Sequence, residues 1–177
     1  PEGGSQKPES DRRAECVVFV LDGKLELTLS NKNYILTPGS YVFIPPDHNW
    51  TIFNYSKEPA RLIWIRKIYN VSEDIAKPEP FVKNEKDIKP IPMPDTGGVW
   101  STTRFVDPLD LRHDMHVNIV SIEPGGVIPF METHVMEHGI YILQGKGIYN
   151  LNADSVEVGA GDFIWLRAFC PQSCYAG

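Results

Sequence analysis

Long apolar runs, paired cysteines and clusters of basic residues are all missing from this sequence. The longest apolar run, "CVVFVL", is far shorter than the roughly 20 residues that cross a bilayer, so we expect no membrane partner. The net charge is -6 and no lysine or arginine block occurs, which argues against a nucleic-acid partner. Three cysteines without a CxxC pair exclude a disulfide framework and favour a reducing, cytoplasmic compartment.

Helical periodicity is missing as well, since no segment sustains an apolar repeat of 3.6 residues. Instead, 15 prolines and 14 glycines separate short β-rich runs such as "ECVVFVLDGKLELTLSNKNYILTPGSYVFIPP". The sequence therefore predicts an all-β fold. It begins without a methionine or a signal peptide and stops directly after a strand-like stretch, so both termini look truncated.

Two stretches of the chain match each other without a gap at an offset of 122 residues. The matched pairs are Gly3-Gly4 with Gly125-Gly126, Glu15 with Glu137, Leu21 with Leu143, Gly23 with Gly145, Lys24 with Lys146, and Gly39 with Gly161. Glycines that recur at turn positions are what a duplicated β-barrel requires, because such turns need a positive φ. We predict an N-terminal copy over residues 1–68, a proline-rich and charged linker over 69–98, and a C-terminal copy over 99–177.

The second copy carries the candidate metal ligands. Glu132, His134 and His138 follow Gly126 with the spacing of the first cupin motif, G-x5-H-x-H-x3-E-x6-G, although the residue types in the slots differ. Gln172 occupies the slot of the second motif's histidine, and Arg167 stands where that motif usually has proline. Residues two apart in a strand face the same way, so Glu132 and His134 are predicted to point into the barrel, and His138 returns to that face.

This ligand set predicts a metal site. Two imidazoles, one carboxylate and one amide oxygen suit Mn²⁺ or Fe²⁺ better than a soft metal, and four protein ligands leave about two octahedral positions open. Two histidines four apart also occur by chance on surfaces, and only the flanking glycines, the second motif and the duplication favour ligation over that alternative. Glu137 is predicted to face away from the metal.

The first copy holds different residues in the same four slots: Ser10, Arg12, Cys16 and Trp50. A guanidinium cannot ligate a cation and an indole offers no lone pair, so that copy is predicted to have lost the site. One metal ion per chain follows. His113 and His116, three apart, are not expected to share a metal, and Cys170 and Cys174 are expected to be packing residues.

The runs "ETHVMEHGIYILQGKGIYNLN" and "VEVGAGDFIWLRAFCPQSCYAG" resemble the (S)-ureidoglycine aminohydrolase family. The resemblance implies two tandem cupin barrels (double-stranded β-helices), one Mn²⁺ and a homo-oligomer. It also implies hydrolytic deamination of (S)-ureidoglycine, a ureide of allantoin and purine catabolism, to (S)-ureidoglycolate and ammonia. The resemblance further implies that Glu132 is both a metal ligand and the catalytic residue that contacts the leaving amine, and that Tyr149 contacts the substrate. From position alone, Tyr149 is a plain strand aromatic.

Two other functions stay open. An iron-dependent cupin dioxygenase would usually have three histidine ligands, and Gln172 with Glu132 argues against it. A non-enzymatic cupin that binds a small molecule is the second alternative, although no helix-turn-helix pattern accompanies it.

Overall fold

The protein is described here by a computed structural model, which covers Gly3 and residues 11–177. In this part of the chain, β-strands are the dominant element and one short 3-10 helix is the only helix, so the predicted all-β fold is confirmed. None of the described helical structure is long and apolar enough to cross a membrane. The chain forms two compact units: unit 1 contains the residues up to Lys89 together with Thr103–Asn118, and unit 2 contains Pro90–Thr102 and Ile119–Gly177.

Unit 1 is built from two antiparallel sheets with strand orders β6-β1-β4-β7 and β3-β2-β5. Its elements are β1 (Ala14–Asp22), β2 (Leu25–Leu29), β3 (Lys32–Leu36), β4 (Ser40–Ile44), β5 (Trp50–Phe53), β6 (Arg61–Ile68), β7 (Phe81–Asn84) and the 3-10 helix Glu85–Asp87.

Strand β1 is buried on both faces, as its uninterrupted apolar run indicates. One face, together with Val42 of β4, packs against Leu27 of β2 in the hydrophobic core between the two sheets. The opposite face lies beside Tyr41 and Phe43, both 0% exposed. The ring of Phe105 stacks on Tyr41 with 4.0 Å between centroids, so residues 103–118 cover this outer face.

Unit 2 has shorter sheets, with strand orders β11-β14, β13-β12-β15 and β10-β9-β8. In the last of these sheets, β9 and β10 each include one or two residues that belong to unit 1. Its strands are β8 (Ile91–Pro92), β9 (Trp100–Arg104), β10 (Asn118–Ile122), β11 (His138–Tyr141), β12 (Lys146–Leu151), β13 (Asp154–Gly159), β14 (Phe163–Leu166) and β15 (Gln172–Ala176). Its small core contains Trp100, Ile128 and Cys174.

The duplication is visible in the strand register. Cys16 of β1 lies opposite Ile44 of β4, and the residues 122 positions later, His138 and Leu166, form the same pair between β11 and β14. Equivalent turns also have the same backbone conformation. Gly39 and Gly161 have φ of 81° and 97°, and each donates its N–H to an equivalent carbonyl at 2.9 Å. Two tandem cupin-type barrels are therefore confirmed.

The region predicted as a linker, residues 69–98, contains strands β7 and β8 and the 3-10 helix. Strand β7 pairs with β4 and completes the large sheet of unit 1, with Phe81 opposite Phe43. The predicted limits of the two copies and of the linker remain predictions. The compact units are a different division of the chain, since each unit contains two separate stretches of sequence.

Candidate functional site

The interior face of unit 2 is organised in rows of side chains across neighbouring strands. Gln172 of β15 lies opposite Leu151 of β12, and an isolated bridge with two 2.9 Å hydrogen bonds pairs its backbone with Glu132. Directly opposite residues in an antiparallel pair project to the same side. Glu132 and Gln172, which are 40 residues apart in sequence, therefore share one row.

The two histidines lie next to this row. The Nε2 atom of His134 is 3.5 Å from Oε2 of Glu132, and the rings of His134 and His138 are tilted by 52° with centroids 4.6 Å apart. Gln172 is only 5% exposed. One carboxylate and two imidazoles are thus close together, and Gln172 is paired through its backbone with the residue that carries the carboxylate.

The backbone between Glu132 and His138 differs from the expected continuous strand. Residues 135–136 form a bend, and strand β11 begins only at His138. The carbonyl of His134 accepts a 2.7 Å hydrogen bond from the N–H of Phe169, so a loop takes the place of a neighbouring strand. The predicted alternation still holds at the start of the segment, because Glu132 and His134 are half-buried whereas Thr133 between them is exposed.

Burial changes the acid–base behaviour of two groups at this site. Desolvation lowers the pKa of His138, and the nearby His134 lowers it further. A neutral imidazole with a free lone pair is the form that binds metals. Burial also raises the pKa of Tyr149, and the neighbouring Cys174 and Glu132 add to that effect, so the phenol stays protonated.

Tyr149 lies one row below the Glu132–Gln172 row. It is directly opposite Cys174, and Cys174 is two residues after Gln172 on the same face of β15. Tyr149 also packs against the core cluster that contains Trp100 and Ile128. Its hydroxyl is therefore held on the interior side of unit 2, beneath the predicted ligands.

The donor set fits a divalent ion of the Mn²⁺ or Fe²⁺ type in its chemistry, since it combines oxygen and imidazole nitrogen and contains no thiolate. Across residues 11–177, no group of three or more histidine, cysteine, aspartate or glutamate side chains has the arrangement of a metal site. The residues are thus assembled in one place, and ligation by Glu132, His134, His138 and Gln172 stays a prediction.

Glu137, which is predicted to face away from the metal, is exposed. In unit 1, the slot residues Cys16 and Trp50 lie in the hydrophobic core, and the exposed Arg12 forms an ion pair with Asp47 at 3.4 Å. The fourth slot residue, Ser10, lies outside the described residues.

The structure adds a loop over residues 167–170, of which the sequence indicated only Arg167. It lines an open cavity of about 380 Å³ together with Leu151 and Leu166, the register partners of Gln172 and His138. Arg167 in this loop lies over the Trp165 ring, 5.9 Å from its centroid. The substitution of proline by Arg167 in the second motif was the one available sign that this loop is unusual.

The remaining histidine pair belongs to unit 1. His113 and His116 lie in the irregular segment between β9 and β10, with ring centroids 6.5 Å apart. His113 packs edge-on against Phe43, and the expectation that these two histidines share no metal stays a prediction. Cys174 is buried in the core of unit 2, as predicted, and Cys170 is half-buried in the loop.

Comparison with known proteins adds to this geometry. The sequence pattern of the Cupin domain family matches residues 1–66 and 118–173. The chain is 31% identical to (S)-ureidoglycine aminohydrolase of Escherichia coli over 98% of its own length and 65% of that protein. It is 28% identical to the Arabidopsis thaliana enzyme of the same name, of which it covers 51%. The family resemblance that the sequence motifs indicated is thereby confirmed.

One solved structure is more similar still. A crystal structure of a Pseudomonas aeruginosa protein, named for induction by glyoxylate, is 60% identical and superposes with a TM-score of 0.94. The match covers 100% of this chain and 66% of that one. The chain therefore spans about half to two thirds of the relatives that it matches.

Proposed function

Since this chain belongs to the cupin family, we propose that it carries the chemistry of an (S)-ureidoglycine aminohydrolase: hydrolytic deamination of (S)-ureidoglycine to (S)-ureidoglycolate and ammonia, a C–N hydrolysis in the breakdown of allantoin and purines. The observation that carries the proposal is the row in which Gln172 pairs with Glu132 beside two imidazoles. Relatives that carry this enzyme's name support the substrate.

Glu132 is the proposed catalytic group. As the bond from carbon to the amine breaks, its carboxylate takes the proton of the ureido N–H and passes it to the departing nitrogen, which leaves as ammonia. A C=N bond remains on the substrate. Glu132 then takes a proton from water as the water oxygen adds to that carbon, and returns the proton to the ureido nitrogen. The proton count is conserved and Glu132 ends as it began.

Tyr149 is the proposed substrate contact. Its phenol stays protonated because burial raises its pKa, so it acts as a hydrogen-bond donor toward a carbonyl or carboxylate oxygen. Glu132, His134, His138 and Gln172 would hold one Mn²⁺. When bound, the ion would orient the ureide and stabilise developing negative charge. A homo-oligomer in the cytoplasm remains part of the proposal.

Ammonia release from freshly generated (S)-ureidoglycine tests the proposal. We expect release by the chain in the presence of Mn²⁺, and at least about a hundredfold slower release by Glu132→Gln, because general acid–base catalysis contributes about 10²–10⁴-fold. Glu137→Gln, five residues away and exposed, is the matched control and keeps the wild-type rate.

The iron dioxygenase alternative is tested in the same preparation. Folded, manganese-loaded protein that releases no ammonia would exclude the aminohydrolase. Oxygen uptake by the iron-loaded protein in its place would favour the dioxygenase, and binding of ureides without turnover would favour a non-enzymatic cupin.

A further inference from the structure

Unit 1 contains a buried acid that the proposed reaction does not use. Glu15 lies on β1 and is 0% exposed, and both of its carboxyl oxygens are buried without a hydrogen-bond partner among the described residues. Its counterpart at the offset of 122 is Glu137, which is exposed. The duplicated position thus faces outward in both copies, but in unit 1 the outer face has been covered.

Residues 103–118, called here the cover segment, enclose Glu15. Phe105 stacks on Tyr41, and His113 packs edge-on against Phe43 at 4.6 Å between centroids. Near its start, the cover segment is held by Lys83, whose Nζ donates to the carbonyl of Phe105 at 2.6 Å.

The other end of the cover segment is held near Glu15 itself. Lys67 lies directly opposite Glu15 in the β1–β6 register, and its ammonium forms an ion pair with Asp114 of the cover segment. The phenol of Tyr69 donates to the carbonyl of Arg112 at 2.9 Å, and the N–H of Asn70 donates to Asp114 at 2.7 Å. The ammonium group of Lys67 is therefore paired with Asp114 and not with Glu15.

In the part of the chain that the structure describes, no cationic side chain forms a hydrogen bond with the carboxyl group of Glu15. The titratable and charged side chains on the packed elements are Arg61, Arg66, Lys67 and Tyr69 from the β6 side, Tyr41 from β4, Lys83 from β7, and Arg104, Asp107, Asp110, Arg112, His113, Asp114 and His116 from the cover segment. Within the described chain, the Tyr41 hydroxyl and His113 Nδ1 are also buried without a partner. A carboxylate at this position would be a buried charge without a hydrogen bond, which is costly, whereas the neutral acid carries no charge.

We propose that Glu15 is a proton-binding switch in unit 1: the neutral acid permits the cover segment to close over the sheet, and ionisation loosens the cover segment. The switch has a defined position because Glu15 sits beneath the same segment that Lys67, Tyr69 and Lys83 hold in place. Loosening exposes Glu15 to water without unfolding the inner core.

The direction of the pH dependence follows from linkage. Burial raises the pKa of Glu15 from 4.5 to about 7; the negative charge of Asp114 adds to this shift and Lys67 opposes it. In the open state the carboxyl is solvated and ionises near its ordinary pKa. Opening therefore releases a proton, so the open fraction rises with pH between these two values, by up to about tenfold per pH unit, and levels off above the higher one.

Hydrogen exchange of the cover segment measures the switch. We expect that, between about pH 5 and about pH 8 and after correction for intrinsic exchange rates, protection of residues 103–118 falls by about a hundredfold. The fall should be confined to the cover segment, while the amides of β2 stay protected. Glu15→Gln, which cannot ionise, should remove this dependence. Glu26→Gln, the same change on a half-buried position of β2, is the control and should keep the wild-type profile.

A direct titration keeps the proposal testable if Glu15→Gln does not fold. The carboxyl carbon resonance of Glu15 in the wild-type protein should titrate well above the ordinary range of glutamate. A midpoint near 4.5 would overturn the proposal, and so would a Glu15→Gln profile that matches the wild type. A midpoint near neutrality together with a flat profile in the variant would support it.

Discussion

At the scale of single residues, Gln172 and Trp50 occupy the same place in two copies of one strand. Gln172 lies opposite Leu151 and Trp50 lies opposite Leu29, the residue 122 positions earlier. Gln172 sits beside a carboxylate and two imidazoles, whereas Trp50 packs edge-on against Trp64 at 5.8 Å between ring centroids. One position thus offers a lone pair and the other seals a core.

The first prediction concerns this pair. Gln172→Ala should weaken Mn²⁺ binding by at least about tenfold, as losses at metal sites commonly do, because it removes a ligand oxygen. Trp50→Phe, which keeps the unit 1 core apolar, should leave the metal content unchanged. Titration calorimetry and elemental analysis of both variants provide the measurement. Equal loss of metal in the two variants would contradict a single site per chain.

The four residues of the candidate site could be selected from the sequence, but the backbone that carries them could not be predicted, and their ligation of a metal stays a prediction. Motif spacing selected Glu132, His134, His138 and Gln172 because each spacing reflects a local property, strand alternation or a turn. The bend at residues 135–136 depends on the bond from Phe169 to the His134 carbonyl, a contact between residues 35 apart. Such a contact leaves no local pattern in a single sequence.

At the scale of elements, β4 and β14 are equivalent strands with opposite surroundings. Tyr41 and Phe43 of β4 are 0% exposed under the cover segment, whereas their counterparts Phe163 and Trp165 of β14 are 66% and 60% exposed. The two strands share their register and the geometry of the preceding turn. The cover segment therefore accounts for the difference.

The second prediction compares the same substitution in the two strands. Phe43→Ala should lower the free energy of unfolding of unit 1 by about 3–5 kcal/mol, because it opens a cavity against Phe81 and His113. Phe163→Ala removes an exposed ring and should lower the free energy of unfolding of unit 2 by less than about 1 kcal/mol. Urea unfolding followed by tryptophan fluorescence compares them. A similar cost for both substitutions would show that the cover segment does not bury β4.

Most strands were predictable because short apolar runs lie between glycines and prolines at turn positions. Strand β7 was not predicted, since "FVKN" lies in a stretch rich in proline and charge. The packing of residues 103–118 on the outer face of unit 1 could not be predicted from the sequence either. Phe105 and His113 look like loop residues, and only the docking of Phe105 on Tyr41 gives them a function in the fold.

At the scale of the whole molecule, each unit is assembled from two separate stretches of chain. Unit 1 takes residues 103–118, and unit 2 takes residues 90–102 that come before them. An N-terminal copy over residues 1–68, even with the predicted linker 69–98 attached, would lack the cover segment of unit 1.

The third prediction uses this organisation. A fragment of residues 1–98 should bind a hydrophobic dye and unfold at a much lower urea concentration, because each large apolar side chain uncovered on the outer face costs about 1.5–3 kcal/mol. A fragment of residues 1–118 has all of unit 1 and a similar artificial end, so it is the control and should unfold at the higher urea concentration. Dye fluorescence and urea titration distinguish them, and equal behaviour would mean that the cover segment contributes nothing to stability.

The interleaving also affects how this duplicated architecture can be inherited. A gene duplication creates two halves that recombination could later exchange as cassettes, provided that each half folds on its own residues. Here the polypeptide crosses between units after Lys89, Thr102 and Asn118. After a crossover at any single point between these positions, one unit contains a segment from another copy. That segment was not selected to pack on the surface that it now covers. Exchange of one half as a cassette would therefore separate Phe105 from the Tyr41 ring on which it stacks.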